Sequence, residues 1–335
     1  MPRAVACPDK FEGTATATEI AAAIAAAAEA RGWNCDQVPV ADGGEGTLEA
    51  LGALGGRIRR SQVMGPLGDP VTAEWRLSRE LAVVEMARAS GLALVGGAEG
   101  NDPLAANTYG AGELISAAVD AGATEVIVGV GGSATTDGGL GAVRALEPHR
   151  RLRGVDVVVA CDVDTRFVDA AESFAPQKGA TQAQVYLLRR RLERLAQVYE
   201  QDFGVDVRDI AGSGAAGGLA GGLAALGAVL VPGFAVVADA LSLAERFEGA
   251  DLVVTGEGFV DEQSFRGKAV GGVVELAREA GVPVLVVTGE VLEGVDVASR
   301  GVECISLVER FGRERAMGDP AGCVRDAVVD ALAAS

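Results

Sequence analysis

The sequence predicts an α/β fold with largely parallel sheets. Two observations carry this: short apolar runs alternate with helical stretches along the chain, and almost every run ends in a loop of glycine with a carboxylate or hydroxyl. Residues 4–7 read as the first strand. Thr16 and Glu19 have capping-box spacing and open an alanine-rich helix that stops near Gly32. Residues 35–40 form the second strand, with further strands expected at 81–86, 125–130, 155–160, 251–255, 283–288 and 303–307. Helices are expected over 108–121, ended by Gly122, and over 181–203, with Val185, Leu188, Leu192, Leu195 and Tyr199 at helical spacing and Gly204 as the stop. Another runs over 268–280, ended by Gly281. The last has Asp319 as N-cap and Pro320 at its first position, where a missing N–H costs nothing. Arg189-Arg190-Arg191 reads as the wet face of the helix over 181–203.

The first 55 residues and the last hundred or so share a pattern of strand, glycine loop and alanine-rich helix. Between them the composition shifts twice, at Gly65-Pro66-Leu67-Gly68-Asp69-Pro70 and after Leu230-Val231-Pro232-Gly233-Phe234. This predicts a discontinuous domain, 1–58 plus 235–335, with an α/β domain of residues 59–234 inserted into it.

Composition excludes several functions. The 335 residues, 49% hydrophobic, can bury a substantial core. A formal charge of −18 disfavours nucleic acid and anionic membrane as partners. Aromatics at 4% suggest no platform for stacking bases. Five cysteines without a C-x-x-C pair fit a reducing compartment. With no secretory leader and no stretch of 18 uninterrupted apolar residues, a cytoplasmic protein is expected. The single histidine, His149, lies in a charged run and is expected to be solvated. A Ser-His-Asp triad would need it, and a two-histidine metal site is impossible, so any general base is a carboxylate.

Lysine is rare: 26 arginines stand against Lys10, Lys178 and Lys268. Each sits in a loop with glycine and a carboxylate or amide, where a compact ammonium suits a phosphate–metal site better than a planar fork. The strand-end loops point the same way. They are Asp42-Gly43-Gly44-Glu45-Gly46-Thr47, Gly131-Gly132-Ser133 running on to Asp137, Cys161-Asp162-Val163-Asp164, and Gly256-Glu257-Gly258-Phe259-Val260-Asp261. Ligands of open parallel sheets bind outside the carboxyl ends of the strands. Glycines Gly43, Gly44, Gly131, Gly132, Gly256 and Gly258, with Ser133, would let backbone N–H groups cradle phosphates. Asp42, Glu45, Glu257 and Asp261 would hold Mg²⁺, a hard cation that takes oxygen ligands. Lys10, Lys178 and Lys268 would neutralise charge on a transferred phosphoryl group, and Asp162 or Asp164 would orient the attacking hydroxyl, the other being a turn residue. Lys178 precedes the helix that Thr181 caps, which favours an anion beside it. No Walker A motif is present, because Gly267-Lys268-Ala269 lacks the hydroxyl and the upstream glycine. Gly212, Gly214 and Gly217 match G-x-G-x-x-G after a poor strand, with Asp239 further on, and read as a phosphate-binding helix N-terminus, as close helix packing or as a nicotinamide dinucleotide site.

These motifs, with Pro8-Asp9-Lys10-Phe11, Gly65-Pro66-Leu67-Gly68, Tyr109-Gly110-Ala111-Gly112-Glu113 and Pro176-Gln177-Lys178-Gly179-Ala180, resemble the bacterial glycerate kinase family of class I, in the right order over nearly the whole chain. The resemblance implies ATP-dependent phosphorylation of D-glycerate, at the 2-hydroxyl, with Mg²⁺. It also implies two α/β domains around a cleft that holds the active site, one Rossmann-like with a mainly parallel sheet and the other inserted into it. Glycerate and ATP are then the partners, and homo-oligomerisation stays open. Three departures stand out. Glu12 replaces a cation, Phe259 replaces an arginine, and Thr165-Arg166-Phe167-Val168 replaces an Asn-Pro-Leu turn, where Arg166 could compensate for lost charge. They motivate two alternatives: a kinase of the same fold for another hydroxy acid, or a non-catalytic sensor of a phosphorylated acid.

Overall fold

The computed structural model describes residues 1–262, 264–265, 268–292, 294–295, 297 and 300–334. Gln263, Arg266 and Gly267, in the loop before Lys268, lie outside the described residues. The strands are β1 (Arg3–Pro8), β2 (Asn34–Gln37), β3 (Arg57–Met64), β4 (Pro70–Ser78), β5 (Leu81–Glu85), β6 (Glu125–Gly129), β7 (Asp156–Ala160), β8 (Val229–Val231), β9 (Leu252–Gly256), β10 (Phe259–Val260), β11 (Val284–Thr288), β12 (Glu290–Val291) and β13 (Glu303–Ser306). The helices used below are α1 (Ala17–Ala30), α2 (Tyr109–Asp120), α3 (Leu140–Ala145), α4 (Gln182–Phe203), α5 (Ala215–Ala225), α6 (Ala269–Glu279) and α7 (Pro320–Ala334). The chain divides into two compact units. Unit 1 comprises Met1–Asp42, Glu49–Leu54 and the chain from Phe234 onward; unit 2 comprises Gly43–Leu48 and Gly55–Gly233.

Unit 1 is built on a five-stranded sheet of order β13-β11-β9-β1-β2, parallel throughout. Ala4, Val5, Ala6 and Cys7 of β1 are fully buried, as in a sheet covered on both faces, and such strands read as continuous apolar runs. Ile20 and Ile24 of α1 pack with Cys323, Val324 and Val328 of α7 on one cluster, while Val270 and Val274 of α6 join Val260 and Val286 in another. The capping box that opens α1 is formed: the Thr16 hydroxyl accepts from Glu19 N, and the Glu19 carboxylate accepts from Thr16 N. Strand register decides which loops become neighbours. Pro8 pairs with Gly256, so the residues after β1 and β9 emerge side by side, and Val40 N still bonds Pro8 O beyond the end of β2.

Unit 2 holds a six-stranded sheet of order β3-β4-β5-β6-β7-β8. Strands β5 to β8 are parallel, and their register puts Glu85, Gly129, Ala160 and Val231 at one level. The antiparallel β3–β4 hairpin is not visible as strands in the sequence. The exposed arginines Arg57, Arg59 and Arg60 mask its alternation, and only Val63, Ala73 and Trp75 are buried from it. Its turn is the segment Gly65–Asp69, closed by a bond from Gly65 N to Asp69 O. The capping box of α4, Thr181 with Gln184, is formed, and Val185, Leu188, Leu192 and Tyr199 are buried along one face as their spacing requires. His149 is not solvated. It opens a short 3₁₀ turn that seats the half-buried ring edge-on against Phe203, with Nε2 2.9 Å from Val143 O. Among the described residues no helix is long and apolar enough to cross a membrane.

Candidate active site

In unit 1 the register of β9, β1 and β2 gathers carboxylates. Asp9 follows β1, Glu257 follows β9, and Asp42 follows the extension of β2. Asp9 N–H donates to Gly256 O, and the Asp9 carboxylate accepts from Lys10 N–H at 2.6 Å. Burial pushes the Asp9 carboxyl up to about 7; the Asp42 charge and then Glu257 add to it, against Lys10. Glu257 is also pushed up to about 7, first by burial, then by Asp261 and Asp42, while Ser264 and Lys268 oppose the rise. Its Oε1 is buried and has no hydrogen-bond partner among the described residues. Asp261 Oδ1 accepts from Ser264 N–H and hydroxyl at 2.7 and 3.1 Å, which shapes the turn before α6. Lys268 stands at the N-cap of α6. Gly256 and Gly258 serve packing: a Cβ on the first would strike Val287 O, and one on the second would come within 3.1 Å of Glu12 N.

Among the described residues, no group of three or more His, Cys, Asp or Glu side chains could hold a metal ion by itself. Mg²⁺ does not need one, since it keeps several waters and takes one or two carboxylates together with substrate phosphates. A buried, unpartnered carboxylate oxygen of Glu257, with further carboxylates near it, fits such an ion, which Glu257 with Asp9 or Asp42 would hold. Glu45, placed with these by its motif, is an exposed residue of unit 2.

In unit 2 the chemistry again lies at the strand ends. Lys178 is 3% exposed. Its Nζ donates to Ser133 Oγ and Thr135 O, each at 2.7 Å, clamping the loop after β6. Burial pushes its pKa down to about 7, with Asp137 opposing. The two candidate aspartates separate cleanly. Asp162 Oδ1 accepts from Gly233 N–H at 2.6 Å, which fixes the carboxylate at the end of β7. Asp164 is exposed and makes no hydrogen bond or ion pair among the described residues. Arg166 is 62% exposed and lies 3.6 Å from Asp209. Phe167 is fully buried, which explains the rebuilt 165–168 segment as a core anchor.

The glycines of unit 2 lie where chains nearly touch. Gly43, at φ +84°, would put a Cβ 2.8 Å from Ala160 Cβ and 2.9 Å from Gly233 Cα, and a Cβ on Gly131 would come 2.8 Å from Gly44 Cα. Gly132 has φ +69° next to Ser133. Of the Gly212, Gly214 and Gly217 set, Gly212 packs on Cys161, Gly214 on the carbonyls of Thr165 and Arg166, and Gly217 on Thr135 O. The first turn of α5 is left-handed at Ala216, Gly217 and Gly218. The N–H groups of Gly214, Ala215 and Gly218 donate to Thr165 O, Gly212 O and Gly214 O, and each of the three glycines lies where a Cβ would meet neighbouring atoms at 3.0 Å or less.

Glu85 was not singled out by its sequence. It ends β5 as the last polar residue of an apolar run, and is 3% exposed. It accepts from Gly46 N, Leu48 N and Arg88 Nε at 3.0, 2.9 and 2.8 Å, so it ties the glycine loop 43–47 to the sheet. A glutamate inside a strand of valines was the available signal. Asp137 was equally legible as a capping residue: its carboxylate accepts from Thr108 N and Oγ1, Gly139 N and Gly141 N.

Parallel sheets with carboxylates, buried lysine and tight glycine loops at their carboxyl ends define an α/β kinase. The comparisons with known proteins agree. The family model described as the glycerate kinase family matches residues 4–149 and 146–333. Glycerate kinase of Halalkalibacterium halodurans is 40% identical over 93% of this chain and 92% of its own, and glycerate 2-kinase of Escherichia coli is 39% identical over 91% and 90%. The crystal structure of the protein assigned as glycerate kinase 2 in Salmonella typhimurium superposes with a TM-score of 0.84 at 34% identity, covering 99% of this chain and 98% of that one. The chain belongs to the glycerate kinase family.

Proposed function

We propose that this enzyme phosphorylates D-glycerate from ATP with Mg²⁺, giving 2-phosphoglycerate. The observation that carries the reading is the unpartnered buried oxygen of Glu257 at a parallel strand end in unit 1, with the charge of Asp42 acting on both Glu257 and Asp9. That is the setting a metal–nucleotide complex requires. The 2-kinase name of the Escherichia coli relative supports the regiochemistry. Mg²⁺, which Glu257 with Asp9 or Asp42 would hold, would supply positive charge against the phosphates when bound. Lys10 and Lys268, flanking the same carboxylates, add positive charge for the phosphates. In unit 2, Asp162, held by Gly233 N–H, orients the substrate hydroxyl and accepts its proton; Asp164 is a turn residue. Lys178 acts as a positioning residue, holding Ser133 and Thr135 in place. The reading includes a cytoplasmic setting, which five free cysteines suit. The test is purified enzyme with ATP, Mg²⁺ and D-glycerate, followed by ADP release and by ³¹P NMR of the product. The 2-phosphate is expected. A folded protein without ADP release refutes the activity, and a 3-phosphate refutes the regiochemistry.

A second reading concerns the acid. Phe259, 39% exposed, stands where a cation was expected, and Arg166 is 62% exposed. Fewer cations favour a hydroxy acid less dependent on charge pairing. A panel of hydroxy acids compared by kcat/KM decides, and a substrate better than glycerate would displace it.

A further inference from the structure

We propose that a cavity within unit 2 binds an organic anion with a bulky apolar body. The cavity has a volume of ≈ 930 Å³. Its apolar wall includes Leu104, Leu140, Leu187, Leu192, Leu195 and Val198. Arg144 of α3 and Arg190, Arg191 and Arg194 of α4 also line it, all from exposed positions. The helical repeat of α4 explains the mixture, since Leu187, Arg191, Arg194, Leu195 and Val198 recur every three or four residues and share one face.

Charge makes the cavity unusual. The chain has 47 acidic against 29 basic residues, so partners for arginine are plentiful. Arg189, one residue away on the same helix, contacts Asp169, Glu172 and Glu193. None of the four cavity arginines has a carboxylate within 4.0 Å among the described residues. Arg191 reaches Leu104 O, Arg194 reaches Gln197 and Arg190 lies over the Tyr186 ring. The acidic residue in the lining, Asp137, already accepts four hydrogen bonds. A second observation is independent of the arginines. Thr136 lines the cavity and is 2% exposed, yet its Oγ1 has no hydrogen-bond partner among the described residues.

Uncompensated guanidinium groups match carboxylate, sulfonate or phosphate oxygens in a planar fork. The volume lies near the top of the range that holds drug-sized ligands, roughly 300–1,000 Å³. A three-carbon acid would leave most of that wall wet, so the ligand carries apolar bulk. Two sources share this chemistry: a second nucleotide, besides the one at the unit 1 carboxylates, or a separate acyl or aryl acid. Either would be felt by the loop after β6, because Thr136 and Asp137 continue the segment whose Ser133 and Thr135 hold Lys178.

The probe is anilinonaphthalene sulfonate, an aromatic body with one anionic group, titrated into the full chain and followed by fluorescence and calorimetry without turnover. One saturable site per chain is expected. The double variant Arg190→Gln with Arg194→Gln, both exposed and therefore fold-neutral, should weaken it by at least about tenfold. Absence of saturable binding, or a variant that binds as wild type does, overturns the proposal. Displacement by ATP assigns the nucleotide as occupant; displacement by decanoate but not ATP assigns a separate acid; displacement by neither overturns the ligand class. Because binding alone is read, failure here leaves the kinase reading intact, and inactivity on glycerate leaves this one intact.

Discussion

Residues of one type take different roles here according to what surrounds them. Asp162 and Asp164 are two positions apart, yet one is held by a backbone N–H and the other is exposed. Asp162→Asn should lower kcat by roughly 10²-fold or more, the usual size of general-base assistance, while Asp164→Asn stays within a few-fold of wild type. Steady-state kinetics on both variants check this; equal losses, or none, would remove Asp162 from the mechanism. Glu257 gives a thermodynamic test. Its pKa rises from 4.5 in the ordinary state to about 7 in the fold, and that of Asp9 from 3.8 to about 7. Between those limits the folded chain holds protons that the unfolded chain has released, so the stabilisation present at low pH is lost as pH rises through about 7. Without Mg²⁺, Tm should therefore fall from about pH 5 to about pH 8, and Glu257→Gln should flatten the fall. Added Mg²⁺ should restore stability at the upper end, where the carboxylates are ionised and able to take a cation. An unchanged slope in Glu257→Gln, measured by thermal melts at matched ionic strength, would contradict the assignment.

At the scale of elements, the loop after β6 is organised by one buried ammonium. Lys178 reaches it from the Pro176–Lys178 turn, and its two 2.7 Å bonds end on Ser133 and Thr135. The socket accepts a point charge with two directed N–H bonds. Lys178→Arg keeps the charge but forces a larger planar group into a closed site, where overpacking costs about 1–3 kcal/mol. Both Tm and kcat should fall. If Tm and both KM values match wild type, the clamp is dispensable. The rarity of lysine marked this residue in the sequence, but its neighbours could not be read there, because Ser133 lies 45 positions upstream. The same limit runs through the fold. The parallel core strands were legible, since burial on both faces writes an unbroken apolar run. The β3–β4 hairpin was not, because its arginines face outward and its buried set is only Val63, Ala73 and Trp75. His149 sat in a charged run whose local composition said nothing of Phe203, 54 positions later. The glycine loops were found, but their purpose was only half legible. A glycine needed for close approach at Gly217 and one needed to cradle an anion look alike until the opposing backbone, here Thr135 O, is known.

For the whole molecule, the dominant quantity is a formal charge of −18. Two opposing effects answer to salt. Surface ion pairs such as Arg310–Asp330 and Arg315–Asp326 are weakened by it, but each is worth only about 0–1 kcal/mol. Repulsion among the excess carboxylates acts over longer distances, and separations beyond a Debye length of about 10 Å at 0.1 M are largely screened. Contacts of 2.6 and 2.7 Å are screened far less than carboxylates dispersed over the surface. Repulsion therefore loses more than attraction does as salt is added, and the folded state gains. Tm should rise between about 10 mM and about 200 mM NaCl, with the rise complete once the Debye length falls below typical charge spacings. Potassium chloride should act equally, since the effect is screening and not a specific ion. A Tm that falls with salt would mean that the paired arginines outweigh the excess negative charge, and that the acidic surface is not a source of strain in this fold.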